Sequence, residues 1–331
     1  MAQGGAVVDA SEAIAVFHWE NGLKLTRADL AIDFCRRQPR GFISHAHTDH
    51  MARHEYALCT PETSALYQFR LGRRRTLKIP YRRPIQWGGL RLTTYPAGHC
   101  LGSAMLLAED GSQSLLYTGD FKLGPSATAE EAELPHAEIL VLESTYGHPD
   151  YRLPPREETI ERLVALVRET LATGATPVIV AYVLGKAQEV TRLLADRQIP
   201  VLQQKRIYQV SRVYEACGMR LGQYELFEDR PRPGWAVLVP PGTPPLECLG
   251  REVRIAVTGW AVDNGARYRL KVDHAVPLSD HADYDQLFEA VRRVRPDKVY
   301  CTHGPESFAL RLREAGHDAH PLGRPSQMTL F

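Results

Sequence analysis

The stretch GFISHAHTDH, residues 41–50, decides the fold. Gly41–Ser44 reads as the end of a strand, so the histidines that follow sit on a loop at a sheet edge. His45, His47, Asp49 and His50 place four potential metal ligands within six residues. On an extended or turning segment the alternate residues His45 and His47 can face one way, leaving Asp49 and His50 for a neighbouring position. Imidazole with some carboxylate suits zinc, with manganese as the alternative. A lone surface histidine needs no explanation, but a set packed this closely does.

One loop cannot complete two metal sites, so further ligands are expected at other strand ends. His99 in YPAGHCLGS, Asp120 in LLYTGD and His303 in VYCTHG stand in such places. Each follows an apolar run and lies beside glycine. Taken singly, each could be an ordinary strand-end polar residue. Together they occupy the same kind of position and face one edge.

Around these motifs the first 150 residues read as short strands with tight connections. Alternation is visible in Leu23–Leu25, Arg91–Tyr95 and Ala104–Leu107, and Asp110–Gly111 marks a hairpin. Thr60 as N-cap with Pro61 behind it predicts a helix to about Leu71. From Pro154–Pro155 helices alternate with apolar strands: helices over 156–173, 186–196 and 207–217, strands over 176–182, 200–202, 235–239 and 253–257. The tail predicts a helix over 282–294, a strand over 298–301 and a helix over 307–315. The layout is one domain interrupted by an inserted α/β unit of roughly 110 residues.

Composition sets the outer bounds. The 331 residues are 44% hydrophobic and 24% charged, ordinary globular values that allow a substantial core. No stretch approaches the roughly 20 apolar residues of a membrane helix, and the first residues lack the basic start and apolar run of a signal peptide. A cytoplasmic protein with no membrane partner is expected. The six cysteines form no CxxC pair and read as small, reduced residues. The net charge of +1 excludes nothing, but Arg70–Arg83 (RLGRRRTLKIPYRR) carries seven basic residues and no acid. Arg73, Arg74 and Arg75 at its centre are candidates for nucleic-acid phosphate contacts.

HAHTDH with AGHCLGS, YTGD and a late THG resembles the metallo-β-lactamase superfamily. LESTYG at 142–147 and PLSDHADYDQL at 277–287 narrow the resemblance to its β-CASP nuclease branch. It implies a metallo-β-lactamase αββα sandwich over residues 1–153 and 266–331, with an inserted β-CASP α/β domain over 154–265. It implies two divalent cations per chain, zinc first and manganese second. His45, His47 and His99 would hold one and Asp49, His50 and His303 the other, with Asp120 bridging them. Glu143 and His281 match the pair that the branch adds to the common fold, and with Asp49 they are expected to carry catalysis. A histidine near the leaving oxygen can give it a proton, and a carboxylate behind the ring favours its charged form. Asp33, in LAIDF, is expected to support the ligand loop from behind.

The expected activity is phosphodiester hydrolysis. The overall shape resembles bacterial exonucleases associated with an ATP-dependent DNA ligase. That implies a DNA exonuclease acting 5′ to 3′ on single strands in DNA repair, with such a ligase as a functional associate. An RNA-processing ribonuclease is the alternative. A small-molecule hydrolase on the same fold is disfavoured by the insert and the Glu143–His281 pair, and an inactive scaffold by the full ligand set.

Overall fold

The computed structural model describes residues 17–19, 22–263 and 265–322. Six short strands form the first sheet in chain order: β1 (Phe17–Trp19), β2 (Leu23–Leu25), β3 (Leu30–Ile32), β4 (Arg40–Phe42), β5 (Tyr56–Cys59) and β6 (Thr76–Lys78). From β3 onward they run parallel. Helix α1 (Pro61–Leu71) starts where the sequence predicts, with the Thr60 side chain accepting from the Thr63 N–H and proline at the first turn.

The second sheet begins with β7 (Ile85–Trp87), β8 (Leu90–Pro96), β9 (Ala104–Glu109), β10 (Ser114–Tyr117) and β11 (Ile139–Glu143). The β9–β10 hairpin turns at Asp110, whose carboxylate accepts from the N–H groups of Ser112 and Gln113 at 2.8 and 2.9 Å. The chain then leaves through α2 (Arg156–Ala172) into a third, all-parallel sheet. This comprises β12 (Thr176–Val180), β13 (Val201–Gln203), β14 (Tyr224–Leu226), β15 (Ala236–Val239), β16 (Glu252–Val257) and β17 (His274–Val276), in the order β14-β13-β15-β12-β16-β17. Helices α3 (Lys186–Ala195), α4 (Lys205–Ala216) and α5 (Ala266–Leu270) connect its strands. β17 pairs with β16 from Ile255↔His274 onward, so this sheet reaches past residue 265. The tail returns through α6 (Tyr284–Val294), β18 (Lys298–Thr302), α7 (Glu306–Glu314) and β19 (Ala319–Pro321). β18 pairs in parallel with β11. Helix α6 begins two residues later than apolar spacing suggests, because Asp283 caps it by accepting from the Gln286 N–H.

Side-chain alternation shows the layering. Leu106, Leu115, Tyr117 and Val141 pack inward against Leu25, Leu30, Phe42 and Leu58 of the first sheet. Their neighbours Met105, Leu107, Leu116, Leu140 and Leu142 face the other way, against Leu287, Val291, Phe308 and Leu312 of α6 and α7. On the outside of the first sheet, Leu66 and Tyr67 of α1 pack with Val210 and Tyr214 of α4. The result is the expected αββα sandwich, with its outer helix layer shared by the third-sheet unit. No helix of the described residues is long and apolar enough to cross a membrane.

Candidate metal centre

β8, β10, β11 and β18 all point the same way, and their C-terminal ends lie on one edge. His99 follows β8, Asp120 follows β10, Glu143 ends β11 and His303 follows β18. His45, His47, Asp49 and His50 follow β4 of the facing sheet, through a short helical turn at Thr48–His50. Close approach of the two sheets requires glycine: a Cβ on Gly119, whose φ is +54°, would lie 2.8 Å from the Ser44 side chain. Gly304 is held more tightly still, since a Cβ there would collide with the Ser144 carbonyl.

Hydrogen bonds on the far side of each ring reveal which nitrogen faces inward. His47 Nε2 donates to the Leu184 carbonyl at 3.1 Å and His99 Nδ1 to the Asp280 carbonyl at 2.8 Å. Ser44 donates its hydroxyl to Asp33 at 2.5 Å, so it accepts from His45 Nδ1 at 3.0 Å. The remaining nitrogens, His45 Nε2, His47 Nδ1 and His99 Nε2, therefore carry lone pairs. His47 Nδ1 lies 3.0 Å from His45 Nε2 and 3.1 Å from His99 Nε2. Burial pushes all three rings below the usual histidine range, His99 to about 3, so no proton is available to separate them. Lone pairs facing one another at this distance repel, and a cation between them relieves the repulsion. Three imidazoles closed by the Asp120 carboxylate are a donor set that fits a divalent metal such as zinc.

Asp120 turns one oxygen toward both halves of the ligand set. Its Oδ2 lies 3.5 Å from His45 Nε2, 3.9 Å from His99 Nε2 and 3.3 Å from His50 Nε2. Burial opposes its charge, but His50 and His281 outweigh burial and hold the carboxyl well below its usual range. His50 donates from Nδ1 to Asp33 at 2.9 Å, which again leaves Nε2 facing inward. Asp49 is largely solvent-exposed, 3.7 Å from His50 Nε2, at the mouth of the site. His303 sits at φ +53°, its ring centroid 5.3 Å from that of His50.

Beside this set stands the second pair. His281 Nδ1 donates to both oxygens of Glu143, at 3.1 and 3.2 Å. Glu143 is buried and fixed by the Phe121 N–H at 2.9 Å and the Thr145 hydroxyl at 2.5 Å. Burial works against a charged His281, but Glu143 and Asp120 overcome it and lift the ring to about 10. Its Nε2 lies 4.0 Å from Asp120 Oδ2. A cavity of about 570 Å³ opens beside His281, between the sandwich and the third-sheet unit.

The structure thus brings together every ligand and catalytic residue expected from the sequence. It does not bring Arg73, Arg74 and Arg75 to them: these precede β6, at the opposite strand ends. Arg70, from the same basic run, does reach the site. It donates to the Ala46 carbonyl and, at 3.0 Å, to the Thr48 hydroxyl, pinning the ligand loop to α1. The sequence reading missed the Leu184 and Asp280 carbonyls, which orient His47 and His99, because a main-chain oxygen leaves no mark in residue type.

Residues 266–322 match the family described as "Zn-dependent metallo-hydrolase RNA specificity domain". The chain is 38% identical over 319 residues to a protein of Opitutus terrae named "Probable DNA ligase", covering 94% of this chain and 31% of that one. It is 26% identical to "Cleavage and polyadenylation specificity factor subunit 3" of Dictyostelium discoideum, over 72% of this chain and 38% of that protein. It is 42% identical to "Transcription termination factor FttA" of Pyrococcus abyssi, over 32% of this chain and 17% of that protein. The chain spans about a third of the length of the first two relatives. A solved structure titled "Crystal Structure of a Protein of Unknown Function from Enterococcus faecalis V583" shares the fold. Its TM-score is 0.57 at 17% identity, over 80% of this chain and 75% of that one. In its motifs, its layered fold and its relatives, the chain resembles the β-CASP nuclease branch of the metallo-β-lactamase superfamily.

Proposed function

We propose that the protein is a two-metal phosphodiesterase that removes nucleotides from single-stranded DNA, starting at the 5′ end. The observation that carries the reading is the convergence of three imidazole lone pairs and Asp120 beside the charged His281. In this reading His45, His47 and His99 would hold one divalent cation and Asp49, His50 and His303 a second, with the Asp120 carboxylate available to both. Such a pair of cations supplies an acidified water and charge stabilisation for phosphate oxygens. The rest falls to the chain's own groups. Glu143 keeps His281 protonated and aimed, and His281 Nε2 gives its proton to the departing sugar oxygen. The cleft between the sandwich and the inserted unit, 154–265 in the sequence reading, admits a single strand more readily than a duplex.

DNA is favoured by the Opitutus terrae relative, matched over 94% of this chain and named for DNA ligation. A second reading, cleavage of RNA, is favoured by the family description matched over 266–322. Matched single strands of DNA and RNA, labelled at the 5′ end, separate the two. Early release of a labelled mononucleotide or short fragment from DNA is expected. Faster loss of the RNA would move the substrate to RNA, a ladder shrinking from the 3′ end would reverse the direction, and rapid cutting of circular strands would make the enzyme an endonuclease. Asp120→Ala is expected to lower bound metal and abolish cleavage. Full metal content with near-normal activity in that variant would end the two-metal assignment.

A further inference from the structure

The first sheet carries a second cationic feature at its other edge. β4, β5 and β6 are parallel, and the ligand loop leaves the C-terminal end of β4. The segments entering the same three strands, ahead of Arg40, Tyr56 and Thr76, bring Arg37, Arg53 and Arg73–Arg75 together. With His54 and Glu55 they line an open cavity of about 770 Å³. At roughly 3.3 Å per extended residue, the five residues from Arg40 to His45 put this cavity on the order of 15 Å from the metal ligands.

The cavity presents donors almost exclusively. Its one carboxylate, Glu55, is paired with Arg37 at 3.1 Å. Arg75 stacks on the Tyr56 ring, and among the described residues Arg53 and Arg73 have no carboxylate partner. His54 is 2% exposed, with its ring against Gly41. The Gln38 N–H donates to its Nδ1 at 3.1 Å, which places the ring proton on Nε2, and that atom has no partner. The Arg74 Nε–H is likewise buried and unpartnered. Buried donors without acceptors, ringed by guanidinium groups, are complementary to an oxyanion with several acceptor oxygens.

We infer that this cavity is a phosphate-binding exosite, which holds the backbone of a nucleic-acid strand at a distance from the cleavage centre. The inference rests on the nuclease reading for the identity of the strand. It assigns the arginine run to retention of longer strands, leaving the chemistry to the opposite edge.

The test compares the metal-loaded protein with Arg53→Ala/Arg73→Ala, two exposed positions, and with Arg53→Lys/Arg73→Lys. Labelled single strands of about four and about sixteen nucleotides bracket the length one groove holds. The alanine variant should bind the long strand on the order of 10-fold more weakly. Its salt slope should fall by about 1.4, at roughly 0.7 per lost phosphate contact on a single strand. Its turnover of the short strand should equal that of the wild type, and the lysine variant should keep most of the slope. If the wild type binds and cuts strands but the alanine variant keeps its long-strand affinity and slope, the exosite is wrong and the nuclease reading stands. If inorganic phosphate saturates the wild type and not the alanine variant, with strand binding unchanged, the cavity takes free phosphate and the strand assignment falls. If the wild type neither binds nor cuts any strand, the underlying reading fails and this one with it.

Discussion

Four donors converge on the Asp33 carboxylate: the Ser44 N–H and hydroxyl, the Tyr117 hydroxyl and His50 Nδ1. Through Ser44 it also fixes His45, so one buried acid orients a histidine from each half of the candidate ligand set. Asp33→Asn keeps the volume but loses the charge and an acceptor. Metal affinity should drop about 10–100-fold, as for other groups that orient ligands from behind. Titration against a competing chelator, with circular dichroism to confirm the fold, reads this directly, and unchanged affinity would make Asp33 a bystander. His281→Gln should keep its metal and lose turnover by about 10²–10⁴-fold, since glutamine cannot deliver a proton. A wild-type rate in that variant would remove the proton-donor role. The candidate ligands were legible because HAHTDH, Asp120 and His303 are unusual residue types at strand ends. The groups that aim them were less so: Asp33 could be suspected, Tyr117 reads as one more apolar strand residue, and Leu184 and Asp280 act through carbonyls.

At the scale of elements, the tight joints between strands set the geometry. The Gly119 turn passes Ser44 with no room for a side chain and in a left-handed conformation. Gly119→Ala should cost about 1–3 kcal/mol, the range for a strained backbone position. It should also weaken metal binding, because the displaced neighbour is the residue that fixes His45. Urea unfolding and metal titration on the same sample check both, and a variant with wild-type values in each would mean that the turn relaxes freely. Elements with caps or long periodic faces were legible: α1 from Thr60–Pro61, the hairpin from Asp110–Gly111, and α2, α3 and α4 from apolar spacing. Strands such as β6 (TLK) and β14 (YEL) were not, because three residues span barely more than one alternation. Their existence depends on partners elsewhere in the chain. The same limit hid β17, whose place in the third sheet comes from pairing with β16.

At the scale of the whole molecule, a largely buried charge network joins the inserted unit to the loop that carries Asp280 and His281. Lys186, fully buried at the start of α3, sits 3.0 Å from Glu189 and 3.8 Å from Asp280, and Arg156 of α2 reaches Glu189 at 2.7 Å. Burial disfavours a charged Glu189, but Lys186, Arg156 and Lys122 outweigh it and hold the carboxyl at about 2. The unfolded chain therefore binds a proton here more readily than the folded one. The stabilisation is complete above the ordinary glutamate range near 4.5 and is lost as the pH falls toward 2. Urea midpoints across that window should decline less steeply in Glu189→Gln than in the wild type, and parallel curves would deny the network its role. Lys186→Met takes the lysine from Asp280 and leaves Glu189 with Arg156 as its remaining ion pair, and should cost about 3–5 kcal/mol. A melting temperature equal to wild type would contradict it. None of this was readable from residue types, since Lys186 and Glu189 look like any exposed helical pair until the fold buries them. The two carbonyls that orient His47 and His99 come from this same region, Leu184 ahead of α3 and Asp280 beside Lys186. Filling the centre and latching the inserted unit should therefore be coupled, and such coupling is reciprocal: whatever factor the latch adds to metal affinity, metal adds to the latch. Chelation should speed amide hydrogen exchange across residues 181–189 while α6 and α7 stay protected. Equal protection with and without metal would show that the latch closes by itself.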